Sequence, residues 1–186
     1  KITVAYPGYD SEKFSARGGS SFGRRVTEVK RKYKLGDSYI IYIGTIQPRK
    51  NLVRLMEAFA KVVSERGELE LVIVGKTKGE GRQGWMYEDI LQTPLNLRIK
   101  DRVKFLGFVP TDDLPTLLSG AFVFIQPSLW EGFGIPVVEA MATGTPVIVS
   151  NVSSLPEVVG KAGLLVDPYS VDQIEQAIRT IVADKR

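Results

Sequence analysis

Six short apolar runs, separated by stretches with helical spacing, constrain this chain more than any other feature. They occupy residues 39–44, 69–75, 103–107, 121–126, 146–150 and 163–166, and all are rich in Val, Ile, Leu or Phe. Most lack strict alternation, which marks strands buried on both faces, as in a parallel sheet covered by helices. Between the first two runs Leu52, Leu55, Met56, Phe59, Val62 and Val63 recur at helical spacing. Leu114, Leu117 and Leu118 form a shorter helical pattern, with Thr111 as its expected N-cap and Asp112 and Asp113 in its first turn. Val137, Val138, Met141 and Ala142 follow the fourth run, and Ile174, Ala177, Ile178 and Ile181 close the chain. Residues 76–100 are the weakest part. A mobile loop is expected there before Trp85, then a helix over 87–91 that stops near Pro94. Strand and helix alternate from residue 39 onward, which predicts a doubly wound, Rossmann-like α/β domain with a parallel sheet.

Composition removes several function classes. The 186 residues fit one domain with a sizeable core, and 44% apolar and 25% charged residues are ordinary for a globular chain. No apolar run approaches the roughly 20 residues that span a bilayer. Cysteine and histidine are both absent, so disulfides, thiolate chemistry and a histidine-based triad are excluded. Lack of cysteine suits a reducing cytoplasm. The net charge of +4 is spread out, and its densest stretch, residues 24–32, reads as a solvated helix face. Nucleic acid is not the expected partner; a phosphate ligand or the inner face of an anionic membrane accounts for the mild excess. The chain starts at Lys1 and runs directly into Ile2-Thr3-Val4-Ala5, as a fragment or processed piece would.

In a doubly wound sheet, ligands bind at the carboxyl ends of the strands. The loops after Gly44, Gly75, Gly107 and Gln126 are therefore the places to search. Two glycine patterns there carry little. Gly75-Lys76-Thr77 ends like a phosphate-binding P-loop, but the glycine required five residues earlier is Glu70. Gly79-Glu80-Gly81-Arg82-Gln83-Gly84 matches a dinucleotide fingerprint in letters, but Lys76-Thr77-Lys78 separates it from the strand that should deliver it.

The loop after the fourth run is different. Glu131-Gly132-Phe133-Gly134 makes a turn, and a helix starts near residues 134–136, where Pro136 forfeits no hydrogen bond. Glycines let backbone N–H groups approach a ligand, and a helix start adds partial positive charge, a combination that suits a diphosphate. Glu131 stands at the lip of this turn and Glu139 about a turn into the helix. Ionised carboxylates beside an anion make chemical sense when they accept hydrogen bonds from sugar or ribose hydroxyls. Two solvent-facing glutamates on an ordinary strand–helix unit are the alternative.

Glu131 and Glu139, with seven residues between them, resemble the E-x7-E element of the retaining, group-one glycosyltransferases with the GT-B fold. The resemblance extends to Gly132-Phe133-Gly134, Pro136, Glu139-Ala140-Met141-Ala142, the run Ser154-Leu155-Pro156-Glu157-Val158-Val159, and Gly163-Leu164-Leu165-Val166. Ile2-Thr3-Val4 through Pro7-Gly8-Tyr9-Asp10 is similar to the stretch where such chains enter their C-terminal domain. The resemblance implies that residues 1–186 are the donor-binding C-terminal half of a GT-B enzyme. Residues 1–38 would lead in from a preceding acceptor-binding domain.

The implied roles follow position by position. Glu131 would contact hydroxyls of the donor sugar, and Phe133, Gly134 and Ile135, just past Gly132, would offer backbone N–H groups to sugar and diphosphate. Glu139 would hold the ribose. The loop from Gly44 through Asn51 resembles the family's phosphate loop, with Lys50 on the diphosphate. Many relatives carry arginine where this chain has Thr45, and Arg49 is the candidate to replace that charge. Gly75 with Lys76, and Phe108 with Val109, occupy loops that flank the nucleotide in relatives. No metal site and no cofactor is implied.

The expected activity is transfer of a hexosyl unit from a nucleoside diphosphate sugar with retention. Glu131, Lys50 and Arg49 would be the catalytic groups. GDP-mannose is favoured over UDP-glucose, because Pro48-Arg49-Lys50-Asn51 resembles the mannosyltransferase variant. A non-catalytic nucleotide-sugar-binding module and a GT-B epimerase are the competing readings.

Overall fold

The computed structural model describes residues 3, 5–16, 20–65, 67–76 and 87–184. Ile2, Val4, the glycine pattern at 79–84 and Trp85 lie outside the described residues.

Among the described residues six strands form one parallel sheet: β1 (Ser38–Ile43), β2 (Leu69–Val74), β3 (Val103–Gly107), β4 (Phe124–Gln126), β5 (Val147–Ser150) and β6 (Leu164–Val166). Their order is β3-β2-β1-β4-β5-β6. β1 pairs with β2 in register from Ser38↔Leu69 to Ile43↔Val74, and with β4 on its other edge through Ile41↔Phe124. The winding reverses between β1 and β4, so the loops leaving these two strands diverge and open a crevice at the carboxyl edge.

Alternating side chains of each strand feed two cores. On one face Ile40, Tyr42, Leu71, Ile73 and Ile148 pack with α2 (Leu52–Val63) and α7 (Val171–Asp184). On the other face Tyr39, Ile41, Val72, Phe124 and Val149 pack with residues from four helices. These are α1 (Ser20–Lys32), α4 (Leu114–Ser119), α5 (Ile135–Ala142) and α6 (Leu155–Val159). Leu52, Leu55, Met56, Phe59, Val62 and Val63 are all buried on α2, as their spacing predicts. The basic stretch 24–32 lies on α1, mostly exposed, with Val29 as its buried member.

Three local expectations differ from the structure. Burial on both faces holds for the inner strands but not for β6, where Leu164 and Leu165 are 39% and 45% exposed because an edge strand has one neighbour only. The helix α3 (Tyr87–Asn96) runs through Pro94 instead of stopping there. Proline forfeits one N–H donor, but Leu97 N still bonds Thr93 O at 3.0 Å, and Thr93 Oγ1 donates back to Asp89 O at 2.8 Å. Finally, α4 starts at Leu114 with Asp113 rather than Thr111 in the capping position, and no side chain caps it. Pro115 in the first turn sets that start, and the two aspartates serve as tethers. Asp112 pairs with Lys13 at 3.0 Å, and Asp113 with Lys32 at 2.6 Å.

At the carboxyl edge β1, β2 and β3 end side by side in Gly44, Gly75 and Gly107. Gly44 N bonds Val74 O and Gly75 N bonds Gly107 O, each at 2.9 Å. A Cβ on Gly75 would lie 1.9 Å from Gly44 O, so only glycine permits this approach.

Candidate functional site

The loop after β1 turns through a short 3-10 segment, Pro48–Lys50, and ends at Asn51 with left-handed φ 61° and ψ 32°. Asparagine tolerates that conformation, and here it has a second task. Its buried amide donates to Pro127 O at 3.0 Å and to Pro168 O at 2.6 Å. Leu129 N donates to Arg49 O at 2.8 Å. The β1 loop is thereby stapled to the β4 loop across the crevice.

The stapling brings Arg49, Lys50 and Glu131 together. Glu131 is 7% exposed and so is Lys50. Lys50 Nζ, Gln126 Nε2 (2.8 Å) and Ser128 Oγ (2.7 Å) all donate to Glu131 Oε1. Arg49 Nη1 reaches Oε2 at 3.3 Å and also donates to Trp130 O at 3.0 Å. Burial alone would raise the Glu131 carboxyl. Hydrogen bonds from Lys50 and Ser128, with the charges of Lys50 and Arg49, outweigh it and hold the group below the usual carboxylate range. Glu131 is therefore an anion with one oxygen saturated by donors and the other held by one long, displaceable contact.

The backbone around it is equally fixed. Glu131 N donates to Ser153 Oγ at 3.0 Å, and Ser154 Oγ lies within reach of the carbonyls of Glu131 (3.1 Å) and Phe133 (3.3 Å). Ser150 Oγ donates to Ser128 O at 2.5 Å. Gly134 precedes α5 with φ 99°, and a Cβ there would meet Leu155 Cδ2 at 2.7 Å. Glycine is thus demanded twice, by the torsion and by the space. Past it Pro136 has no N–H and Val137 N bonds Gly134 O at 2.9 Å, which leaves Ile135 N at the mouth of the helix, and Ile135, 40% exposed, opens that turn toward solvent.

Glu139 lies apart from the cluster. Its carboxyl makes no hydrogen bond or ion pair among the described residues, and burial followed by the nearby Asp10 charge raises it to about 7. The structure thus brings together Lys50, Arg49 and Glu131, and leaves Glu139 on α5 facing Asp10. Gly132 and Phe133 line a cavity of about 760 Å³ with Tyr6, Val138, Ser154 and Glu157; Lys50, Glu131 and Glu139 do not line it. Tyr6 roofs this side, stacking on Phe133 with centroids 5.9 Å apart and donating to Glu157 at 2.6 Å.

The remaining predicted residues spread along the same edge. Thr45 and Lys76 are exposed, Phe108 is 70% exposed, and the Val109 side chain belongs to the core. Sequence reasoning gave no role of their own to Gln126, Ser128, Asn51, Ser153 and Ser154. A polar residue ending an apolar strand marks Gln126, whereas nothing local marks the serines.

Over residues 25–186 the chain matches the family described as glycosyl transferases group 1. O-antigen chain mannosyltransferase B of Escherichia coli is 41% identical over 158 residues, covering 84% of this chain and 40% of that protein. Sucrose-phosphate synthase from Thermosynechococcus elongatus superposes with a TM-score of 0.80 at 28% identity, covering 95% of this chain and 42% of that one. The C-terminal domain of a glycosyl transferase group 1 family protein from Francisella tularensis shares the fold, with a TM-score of 0.79 at 23% identity. It is covered to 89% of its length by 95% of this chain. The chain thus spans about 40% of the length of that mannosyltransferase.

Proposed function

The chain belongs to the group 1 glycosyl transferases, and from that premise we propose that it binds the nucleotide-sugar donor for a retaining hexosyltransferase. The observation that carries the reading is the convergence of Lys50 and Arg49 from the β1 loop with Glu131 from the β4 loop at the switch point of the sheet. Two cations and an ionised carboxylate in one crevice suit a ligand that joins a diphosphate to a hydroxyl-bearing sugar.

Each group then has a task. Lys50 carries three N–H donors, so it can keep Glu131 and still donate to a phosphate oxygen. Arg49, with a side chain 43% exposed, can leave Glu131 Oε2 for the diphosphate, which frees that oxygen to accept a sugar hydroxyl. The Gly134–Ile135 turn adds N–H groups and a helix start. Glu139 accepts ribose hydroxyls. Lys76 and the Phe108–Val109 loop border the base.

In the reaction the bond from the anomeric carbon to the diphosphate oxygen breaks, and a bond to the acceptor oxygen forms on the same face. The acceptor proton passes to the leaving diphosphate. Lysine and arginine stabilise charge as it builds there, the usual electrostatic route to lowering such a barrier. Double displacement would need a free carboxylate nucleophile. Glu131, held ionised by three donors on one oxygen and an arginine on the other, is a weak one. The acceptor site belongs to a preceding domain, and residues 1–38 lead from it. GDP-mannose is the favoured donor, in keeping with the O-antigen mannosyltransferase relative.

Calorimetric titration of the chain with GDP, UDP, ADP and their hexose conjugates tests the reading. Saturable binding of one base series is expected, weakened at least about tenfold in Lys50→Ala by the loss of a charge-assisted bond. A chain that binds none of these nucleotides does not hold the donor.

A further inference from the structure

Gln126 is an odd residue for its place. It ends β4 after the buried apolar pair Phe124 and Ile125, and its own side chain is 1% exposed. Its Nε2 donates to Glu131 Oε1 at 2.8 Å. A flipped amide would set oxygen against oxygen, so the chemistry of the pair settles the orientation. The other end is unused: Gln126 Oε1 is buried and has no hydrogen-bond partner among the described residues. A half-satisfied buried amide is costly, and methionine would fill a similar volume without a polar atom to strand.

We propose that Gln126 is a positioning residue that pins Glu131 Oε1 and thereby turns Oε2 outward, so that the site prefers a nucleoside diphosphate bearing a hexose over the bare nucleoside diphosphate. This rests on Glu131 being the acceptor for a sugar hydroxyl. Three donors converge on Oε1, and they differ in kind. Lys50 and Ser128 come from loops, while Gln126 comes from a strand paired on both sides. Gln126 therefore ties the carboxylate to the rigid sheet, the arrangement that holds a binding group to a narrow geometry. Without it the carboxylate can rotate and share Lys50 between both oxygens. The acceptor direction is then lost while the charge remains.

The test compares the wild-type 186-residue chain with Gln126→Met, each titrated with GDP, GDP-mannose, UDP and UDP-glucose. The quantity read is the affinity ratio of the sugar-bearing to the bare nucleotide. In the variant the bare nucleotide should bind within about twofold of wild type while the ratio falls about fivefold, the size of one hydrogen bond. An unchanged ratio with a lowered melting temperature makes Gln126 a brace for the fold and overturns the proposal. Equal losses for bare and sugar-bearing nucleotide overturn it too. Should Gln126→Met fail to fold, Gln126→Leu removes the same Nε2 donor, and an unchanged ratio there is equally fatal. A wild-type chain that binds both forms equally refutes this inference alone. One that binds no nucleotide refutes the donor site first, and the inference with it.

Discussion

Glu131 and Glu139 are the same residue type, both partly or wholly withdrawn from water, yet the β4 loop and the α5 helix treat them oppositely. The loop surrounds Glu131 with Lys50, Arg49, Gln126 and Ser128, and its carboxyl stays ionised. The helix gives Glu139 no donor among the described residues and sets it near Asp10, so its carboxyl rises to about 7. Burial pushes both upward; the donors and cations around Glu131, which Glu139 lacks, decide which group remains an anion. Loops that face each other across a switch point can gather side chains from distant positions, whereas one face of a helix offers only its own turn and what packs on it.

The largest way to break this contrast is to remove the lysine. Lys50→Met leaves a buried carboxylate without its closest cation, and should cost about 3 kcal/mol in urea unfolding. Adding Glu131→Gln to the same chain should recover more than half of that, since the uncompensated charge goes with it. Additive losses would mean that the pair is not coupled.

Gly134→Ala comes next, at about 2 kcal/mol, from the left-handed torsion and the collision with Leu155. It should spare the Glu131 cluster while weakening nucleotide binding, which separates backbone from side-chain contributions to the site.

Glu139 tests the other half of the comparison through pH. Its folded carboxyl titrates near 7 rather than at the ordinary 4.5, so the unfolded chain releases that proton first. Stability should fall as pH rises from about 4.5 to about 7 and level beyond. Glu139→Gln removes this slope and should raise stability at pH 8 by no more than about 1 kcal/mol, given the solvent that reaches the group. Melting curves across that range decide it. Glu131 behaves in the reverse sense: its contribution is present above 4.5 and drains as pH falls through its lowered folded value.

Arg49→Ala is the smallest change in stability, under about 1 kcal/mol, because its contact with Glu131 is long and its side chain is 43% exposed. Its effect on diphosphate affinity should exceed its effect on folding, which would mark a cation kept for a ligand.

Much of this is legible in the sequence. Apolar runs and helical spacing define the inner strands and α2, because burial on a sheet face or a helix stripe is a periodic, local property. The Glu-Gly-Phe-Gly turn announces its helix start for the same reason, since torsion and proline chemistry act between neighbours. Where the structure departs from these expectations, a nearby alternative takes over: Thr93 and Leu97 carry α3 past Pro94, and Pro115 moves the start of α4 beyond Thr111.

What sequence alone determined is the layered α/β framework and the residue types at its carboxyl edge, through short-range periodicity and turn chemistry. Only the folded chain decided that Lys50 meets Glu131 across 81 positions, that Asn51 bolts two loops together, and that Gln126 stands under the carboxylate. Those outcomes depend on which strands become neighbours at the reversal of winding. That choice is made by packing the whole sheet, not by any stretch of sequence within it.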